Sequence, residues 1–339
     1  MDELAPRTPQ SAAGKVAGIV VTFHPTDAFL SVLTAMVREL SVSIVVSNDP
    51  GAEERLRLDG WVRSVVGSPS SDRPPPVEVL YNGANFGLSR ALNRGIQRAL
   101  DLGAEFVLLL DQDSLLKLGA VDALREDHDR LARSFPVGAV SCSNDEQVTL
   151  SRFPLGVLER MREIHTEGWR RHHGLHHDSR TADEPTFMNS GTLLPTNVLR
   201  AVGGFDERLF VDATDFDLSL RLRQHGLRLF RSDAARLDHV LGAPYVLRLF
   251  GREIRLRTHS PSRSFYSVRD TALFARTQFR AFPVEVLGIV LRRLLGSAGA
   301  LALLPDRRLR GRAMLEGLRS ALTEPLGART APAPAQPPL

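Results

Sequence analysis

The sequence predicts an α/β fold in which a mostly parallel central sheet is flanked by helices. Short apolar runs alternate with stretches of helical periodicity, the runs are rich in β-branched residues or leucine, and Asn, Asp, Pro or Gly residues bound them. This alternation is typical of a doubly wound sheet, whose ligands bind at the carboxyl ends of the strands. The 339 residues suffice for one large domain or two modest ones.

The elements follow one another in a regular order in the first half of the chain. Strands are predicted at residues 17–23, 42–47, 77–81, 106–110 and 137–142. Helices are predicted between them at about 28–40, 88–102 and 119–133. The second half is less regular, with a mixed segment at 186–194, a helix at about 215–225, short strands near 227–231 and 236–240, and long helices at about 264–280 and 284–304.

Composition divides the chain into a folded body and two tails. Residues 1–15 are polar and contain proline, and residues 324–339 are rich in Pro and Ala, so both are predicted to be disordered. We expect one domain at residues 16–260, with halves at about 16–115 and 116–260, and a C-terminal helical extension at 261–323. The sequence contains no internal repeat.

Basic charge is concentrated near the C-terminus. The formal net charge is +4, but residues 248–319 contain fifteen Arg, no Lys and five acidic residues, so they carry +10 and the remainder carries −6. This asymmetry indicates an anionic partner such as phospholipid headgroups, a lipid diphosphate or nucleic acid.

The single cysteine and the N-terminal segment predict a cytoplasmic protein. Cys142 lies in an apolar run, which favours a small buried side chain over a nucleophile. The acidic N-terminus has no apolar stretch before Lys15, and no uncharged run approaches the length of a membrane span. We therefore expect a chain that is not secreted and does not cross a bilayer.

Two aspartates follow the fourth predicted strand. Asp111 and Asp113 are two residues apart, so in an extended chain both carboxylates point to the same side. Such hard oxygen ligands suit Mg²⁺ or Mn²⁺ bound jointly with phosphate oxygens, where the metal would neutralise a diphosphate leaving group. The alternative is that both are turn or N-cap aspartates before the helix near residue 119.

The surrounding blocks give this pair a specific context. Residues 104–114 resemble the metal-binding strand of family 2 glycosyltransferases, especially their bacterial rhamnosyltransferase branch. Further blocks resemble the same family in the expected order, at residues 20–25, 45–49, 82–96, 210–221, 239–242 and 259–266. The similarity covers about residues 16–280, and the order of several blocks is more specific than any one of them.

The resemblance implies a GT-A fold, with a nucleotide-binding half at about 16–115 and an acceptor half at about 116–260, and a role for each matching residue. It implies that the nucleotide-sugar is bound by Thr22, His24, Asp49, Asn85, Arg90, Asp111 and Gln112. It implies that the metal, Mg²⁺ or Mn²⁺, is held by Asp111, Asp113 and His239. Independently of the family, the Asn85-x-Gly87 helix entry would offer free N–H groups to an anion, and simple turn chemistry is the alternative.

The same resemblance places the catalytic base in an acidic helix. It implies that Asp215 takes the proton of the acceptor hydroxyl in an inverting transfer. The alternative is helix capping, because Thr214 and Asp217 are spaced like a capping box. Asp217 is also spaced to pair with Arg221, so both are interpreted as supporting residues. The rhamnosyltransferase branch usually has Glu-Trp where this chain has Asp217-Leu218, which puts the acceptor in doubt.

Two segments stay open. The run His172–His177 could suggest zinc, but it lacks Cys or carboxylate partners at a settled spacing, so a mobile loop over the acceptor cleft is favoured. The apolar segment from residue 284 to 304 is followed by Arg at 307–312. It fits a helix in an anionic membrane interface or, equally, a helix packed on the protein's own core or on a dimer partner.

These observations predict an inverting, metal-dependent glycosyltransferase. We expect L-rhamnose to be transferred from dTDP-rhamnose to a lipid-linked or growing surface glycan, with galactofuranose or another hexose as the alternative sugar. No nucleic-acid partner is expected. The enzyme would be cytoplasmic or peripheral on the inner face of the cell membrane, and a homodimer is the alternative to membrane binding. A nucleotidyltransferase is disfavoured because residues 22–25 lack the Gly and Lys of a phosphate-binding loop. A non-catalytic anion-binding scaffold is disfavoured because Asp111, Asp113, Asp215 and His239 are all present.

Overall fold

A computed structural model describes residues 14–67, 76–144, 178–239, 245–249, 252–256, 260–304 and 306–326. The run His172–His177 lies outside these residues. Within them, the strands are β1 (Val16–Thr22), β2 (Val42–Ser47), β3 (Val77–Tyr81), β4 (Phe106–Asp111), β5 (Ser114–Leu116), β6 (Val137–Asn144), β7 (Thr181–Asp183), β8 (Thr192–Pro195), β9 (Arg228–His239), β10 (Tyr245–Leu249) and β11 (Arg252–Leu256). The helices are α1 (Phe29–Glu39), α2 (Ala52–Val66), α3 (Leu88–Asp101), α4 (Ala120–Ala132), α5 (Thr196–Val202), α6 (Thr214–Gln224), α7 (Pro261–Gln278), α8 (Pro283–Leu303) and α9 (Arg307–Thr323).

One nine-stranded sheet organises the molecule. Its strand order is β3-β2-β1-β4-β8-β6-β9-β5, and β7 pairs with β9 outside this path. Strands β3, β2, β1 and β4 are parallel neighbours, whereas β8 runs antiparallel to both β4 and β6. The predicted α/β class with a mostly parallel central sheet is therefore confirmed, and each antiparallel pair described in this sheet contains β7, β8 or β9, strands of the second half.

Alternation along the central strands explains why they read as continuous apolar runs. In β1, Val20 packs into a core cluster with α1, while its neighbour Ile19 packs into a second cluster with α3. In β4, Leu108 and Leu109 divide in the same way. Successive side chains of a strand point to opposite faces, so a strand covered on both sides needs apolar residues at every position.

A third cluster joins the C-terminal helices to the segment around α6. Leu209, Ala213 and Leu220 of that segment share this core with residues of α7, α8 and α9. The residues contributed by those three helices are Leu273, Phe274, Val286, Ile289 and Ala321. The extension therefore forms part of the packing around the acidic helix.

Several elements differ from those expected. Helix α2 was not predicted, because it is highly charged and Leu58 is its one buried residue. The two short strands predicted near 227–240 are one strand, β9, and the β10–β11 hairpin and helix α9 were not predicted.

Helix α8 revises the expectation that no segment is long enough to span a membrane. It is, by length and composition, a candidate span with a mean hydropathy of 1.7, and 11% of its most apolar 18-residue stretch is buried inside the protein. An uninterrupted apolar run was the wrong criterion, because Glu285, Arg292 and Arg293 lie within this helix.

Cys142 behaves as expected. Its side chain packs against the core cluster of β1 and α1. Burial raises the pKa of the Cys142 thiol to about 12, so it is not a thiolate at neutral pH.

Candidate active site

The carboxyl ends of four parallel strands form one edge of the sheet. Residues that follow β1, β2, β3 and β4 meet there because these strands run in the same direction. The segments at this edge are 23–25, 48–49, 82–87 and 112–113. The predicted nucleotide-binding residues are thus brought to one edge of the sheet.

Asp49 holds the loop that follows β1. Its Oδ1 accepts a hydrogen bond of 2.6 Å from the backbone N–H of His24, and the His24 ring Nδ1 lies 3.2 Å from the same oxygen. His24 has a positive φ of 48°, which few non-glycine residues adopt. The Asp49 side chain is 3% exposed and that of His24 is 59% exposed. His24 can therefore reach a ligand directly, while Asp49 mainly positions it.

Gln112 joins the ends of β1 and β4. Its side-chain oxygen accepts from the Phe23 N–H at 2.9 Å, and its side-chain nitrogen donates to the Phe23 carbonyl at 3.2 Å. In this conformation the amide of Gln112 therefore links the two loops, and its predicted contact with the nucleotide stays a prediction. The exposed ring of Phe23, which was not predicted as a site residue, lies 4.1 Å from the His24 ring, centroid to centroid.

Thr22 does not present its side chain to an open cleft. It is fully buried, and its carbonyl accepts from the Asn48 N–H at 2.9 Å. Within the described residues its hydroxyl oxygen has no hydrogen-bond partner. The predicted contact of Thr22 with the nucleotide stays a prediction, and in this conformation the buried side chain contributes to the packing at the end of β1.

The helix entry after β3 uses its N–H groups internally. The Gly87 N–H donates to the Asn85 side chain at 3.0 Å, and the Leu88 N–H donates to the Phe210 carbonyl. Gly87 has a φ of 85°, and a Cβ there would lie 2.5 Å from the same carbonyl oxygen. These contacts favour the turn interpretation over anion binding for these two groups. Arg90 is half-buried, with its guanidinium 4.4 Å from the centre of the Phe86 ring.

Asp111 and Asp113 lie where β4 ends and the chain turns into β5. Asp111 is the last residue of β4, but Gln112 and Asp113 form a turn, so the argument from an extended strand applies to Asp111 alone. Helix α4 is capped by Gly119, so neither aspartate is its N-cap.

His239 reaches the same place along β9. Its backbone pairs with Ser114, the residue after Asp113. The side chain of His239 lies outside the described residues, and the described His, Cys, Asp and Glu side chains form no group of three around one metal position. The turn itself carries two carboxylates, Asp111 and Asp113, and carboxylate oxygens are ligands that suit a hard divalent ion.

The dipeptide Asn189–Ser190 connects this turn to the acidic helix, and sequence reasoning missed it. The Asp111 N–H donates to the Ser190 hydroxyl at 3.0 Å, and the Asn189 side-chain amide donates to the Thr214 hydroxyl at 2.9 Å. Thr214 is the first residue of α6 and directly precedes Asp215. Two adjacent residues thus hold the end of β4 next to the start of α6. The available signal was a run of small polar residues before the apolar strand β8.

Asp215 lies in the first turn of α6, in a partly desolvated position. Burial raises the pKa of its carboxyl group above the usual value, and the Arg293 guanidinium and the Phe216 N–H oppose that rise. The Phe216 N–H donates to Asp215 Oδ1 at 2.9 Å. A carboxylate with a raised pKa at a helix start is suited to accept a proton.

Asp217 and Arg221 form a buried pair on the same helix. Their side chains are 2% and 1% exposed, and Arg221 Nε donates to Asp217 at 2.8 Å. The other Asp217 oxygen accepts from Gln278 of α7 at 2.6 Å. The predicted pairing is present, but the capping box is not, because Ala213 rather than Thr214 is the N-cap. Leu218, which replaces the tryptophan of the rhamnosyltransferase branch, is fully buried in the core.

The C-terminal helices supply charged groups that the sequence did not reveal. Asp212 lies 3.2 Å from Arg263 of α7 and 3.5 Å from Arg293 of α8. Asp270 of α7 accepts from the Val211 N–H at 2.9 Å and from the Asp212 N–H at 3.0 Å. The loop before α6 is therefore held by α7 and α8.

Comparison with curated proteins finds two groups of relatives. A dTDP-rhamnosyl transferase of Shigella flexneri is 24% identical over 265 residues, which cover 77% of this chain and 80% of that protein. An N-acetylglucosaminyl-diphospho-decaprenol L-rhamnosyltransferase of Mycobacterium tuberculosis is 27% identical over 241 residues, which cover 65% of this chain and 75% of that protein. No protein-family model matches the chain.

Comparison with solved structures identifies the same fold. The structure of GalNAc-T7 with UDP, GalNAc and Mn²⁺ superposes with a TM-score of 0.54 at 11% identity over 93% of this chain, which spans 57% of that chain. TarS (residues 1–349) of S. aureus in complex with UDP-GlcNAc gives a TM-score of 0.52 at 15% identity and covers 91% of this chain and 81% of that chain. The predicted GT-A fold is confirmed.

Proposed function

We propose that this chain, a glycosyltransferase with the GT-A fold that is similar to bacterial rhamnosyltransferases, is an inverting, metal-dependent rhamnosyltransferase. The donor is dTDP-L-rhamnose, and the acceptor is a hydroxyl of a lipid-linked or growing surface glycan. The observation that carries this proposal is the Asn189–Ser190 connection, which holds the Asp111 turn beside the helix that begins at Thr214. A transferase of this kind needs its donor site and its base within reach of one sugar.

Asp111, Asp113 and His239 would hold Mg²⁺ or Mn²⁺ at the end of β4. The bound ion would neutralise the charge that develops on the nucleotide diphosphate as it leaves. His24 and Asp49, together with the exposed ring of Phe23, lie at the same edge of the sheet, where they can contact the base and ribose.

Asp215 would accept the proton of the acceptor hydroxyl as its oxygen attacks the anomeric carbon. Its surroundings favour this role, because burial raises its pKa while Arg293 still favours the charged form. Asp217 is an unsuitable base, since Arg221 and Gln278 already bond its two oxygens.

The choice of rhamnose is supported by the relatives, both of which are named as transferring it. The similar structures contain UDP or UDP-GlcNAc, so galactofuranose or another hexose on UDP is the second candidate donor. A lipid-linked acceptor is supported by the decaprenol in the name of the mycobacterial relative.

A donor panel tests the proposal directly. Purified enzyme is incubated with Mg²⁺ or Mn²⁺ and with dTDP-rhamnose, UDP-galactofuranose, UDP-glucose or GDP-mannose, in the presence of lipid-linked glycan acceptors, and release of the nucleoside diphosphate is measured. We expect dTDP release from dTDP-rhamnose above all others. Preferential turnover of another donor would reject rhamnose, and the absence of both turnover and nucleotide binding would reject the proposed activity.

The Asp215→Asn variant tests the base. We expect transfer to fall by about a hundredfold or more, the usual contribution of general base catalysis, with unchanged nucleotide binding. Asparagine keeps an oxygen that can accept from the Phe216 N–H, so the helix start is preserved. The matched control is Asp122→Asn, an exposed aspartate in the first turn of α4. Undiminished turnover by Asp215→Asn would refute the assignment.

The Asp113→Ala variant tests the metal site. Calorimetric titration of dTDP with and without Mn²⁺ measures how much the metal increases nucleotide affinity. We expect the variant to lose that increase, by about tenfold or more, since even the loss of an outer partner of a metal ligand has such an effect. Asp122→Ala serves as the control, and an unchanged metal dependence in Asp113→Ala would exclude the role.

A further inference from the structure

Helix α8 presents one continuous apolar face to solvent. The exposed residues repeat every three or four positions, so they share one side of the helix. They are Val284, Leu287, Gly288, Leu291, Leu294, Leu295, Ala298 and Ala302, and Pro283 and Gly296 are exposed outside this repeat. No charged residue is among them, and at 1.5 Å per residue this outer face is roughly 27 Å long.

The opposite side of α8 is fixed to the protein. Val286 and Ile289 are buried in the cluster that surrounds α6. Arg293, on the same side, lies 3.5 Å from Asp212. The helix therefore cannot leave the protein to cross a bilayer without breaking these contacts, although its length and composition would allow a span. A helix covered on one side and apolar on the other is suited to lie in the plane of an interface.

Exposed positive charge lies on both sides of α8 in the sequence. Exposed Phe279 and Arg280 precede it, and Leu309, Leu315, Leu318 and Leu322 of α9 are exposed among arginines. The exposed arginines of α9 are Arg307, Arg308, Arg312 and Arg319. From residue 279 to residue 326 the chain has eight arginines, no lysine and four acidic residues. Anionic headgroups beside an acyl region match this combination of charge and apolar surface.

We propose that the outer face of α8, with the exposed leucines and arginines of α9, docks on an anionic lipid surface. The enzyme binds in the plane of the membrane and is not anchored by a span. Charge favours this occupant over a second copy of the chain, because a symmetric contact would bring the same arginines together. The proposal goes beyond the transfer reaction and does not depend on it.

Vesicle flotation of the full-length protein tests the surface with neither donor nor acceptor present. Vesicles contain phosphatidylcholine alone or with 30% phosphatidylglycerol. We expect at least tenfold stronger partitioning to the anionic vesicles, and release from them when the vesicles are stripped with alkaline carbonate. Absence of binding to anionic vesicles, or retention through carbonate extraction, would overturn the proposal of in-plane docking.

Charged substitutions on the outer face locate the contact. The double variant Leu291→Glu and Leu294→Glu should reduce partitioning at least tenfold, while Leu56→Glu with Leu118→Glu, two exposed leucines of the sheet domain, should leave it unchanged. Arg308→Gln with Arg312→Gln should weaken binding to anionic vesicles and leave any neutral binding unaffected. Circular dichroism and thermal unfolding verify that each variant is folded. Equal losses of vesicle binding in both leucine pairs would contradict the location. If the wild-type protein does not bind vesicles but forms an oligomer, and Leu291→Glu with Leu294→Glu dissociates that oligomer, the face would be assigned to a second copy.

Discussion

Asp215 and Arg293 come from helices that are far apart in the sequence, yet the charge of Arg293 influences the ionisation of Asp215. Burial raises the pKa of Asp215, and the guanidinium of Arg293 is the main influence that lowers it. Arg293 also lies 3.5 Å from Asp212, whose charge raises the pKa of Asp215. The charged groups that set this pKa are therefore Arg293 on one side and Asp212 on the other.

Replacing Arg293 should change the pH profile of transfer. The proposed base Asp215 is active when ionised, so activity is expected to fall as the pH falls through its pKa. Arg293→Gln removes the charge that opposes the rise, so the acidic limb of log(kcat/KM) should move to higher pH. Arg293→Lys keeps a positive charge, so its acidic limb should lie between those of the wild type and of Arg293→Gln.

The control for this profile is Arg319→Gln, which removes an exposed arginine of α9. Its acidic limb should coincide with that of the wild type. An acidic limb of Arg293→Gln that stays at the wild-type position, at whatever overall rate, would contradict an influence of Arg293 on the base.

For single residues, the sequence predicted where a site residue lies better than it predicted what its side chain contacts. The resemblance brought Thr22, Asp49 and Gln112 to the sheet edge, where the structure also has them. Their side chains, however, are buried or bonded to neighbouring loops. Such bonds depend on how two loops meet, and no local pattern in either loop encodes that meeting.

Among the elements, the strongly periodic ones could be predicted and the weakly amphipathic ones could not. Strands β1, β2 and β4 could be predicted because both of their faces are buried. Helix α2 buries one residue and gave no periodic signal. Asp270 was equally hidden, since its meaning depends on Val211 and Asp212, about sixty residues earlier.

Helix α9 is held to α7 by an ion pair that closes this part of the structure. Arg269 is fully buried, and its guanidinium donates to both oxygens of Glu324 at 2.9 and 2.8 Å. It also donates to Asp270 at 2.8 Å, and Asp270 in turn holds the loop before α6. A chain of charged contacts thus runs from the end of α9 to that loop.

Glu324→Ala should destabilise the protein by about 2 kcal/mol. Removing one partner of a buried pair leaves the remaining charge insufficiently compensated, and the effect is moderated because Glu324 is 25% exposed and Arg269 keeps Asp270. Urea denaturation followed by circular dichroism measures the change. Glu316→Ala, an exposed glutamate on the same helix, should shift stability by less than about 0.5 kcal/mol. Similar effects of the two substitutions would show that the Arg269–Glu324 pair carries no stability.

At the scale of the whole molecule, the C-terminal helices are built into the core around α6, the helix that carries the proposed base. The cluster of Leu209, Ala213 and Leu220 is completed by α7, α8 and α9. Gly317 of α9 fits against the Phe265 carbonyl of α7 so closely that an added Cβ would lie 2.4 Å from its oxygen. The sequence predicted α7 and α8 as parts of an extension because apolar periodicity indicates that a helix packs against a partner without identifying that partner.

A chain that ends at residue 282 should therefore lose both stability and transfer. It lacks Val286, Ile289 and Ala321, so the apolar residues around α6 would face water, and it removes Arg293 from Asp212. We expect a thermal midpoint lowered by more than about 10 °C or no cooperative transition, because several kcal/mol of packing are lost. A chain that ends at residue 326 keeps all three helices and should match the full chain in midpoint and activity. Differential scanning calorimetry of the full chain should give one transition, since the C-terminal helices and the segment around α6 share a core. Two separate transitions would mean that α8 and α9 form an independent unit. A chain ending at residue 282 that is as stable and as active as the full chain would mean that the proposed base is positioned without them.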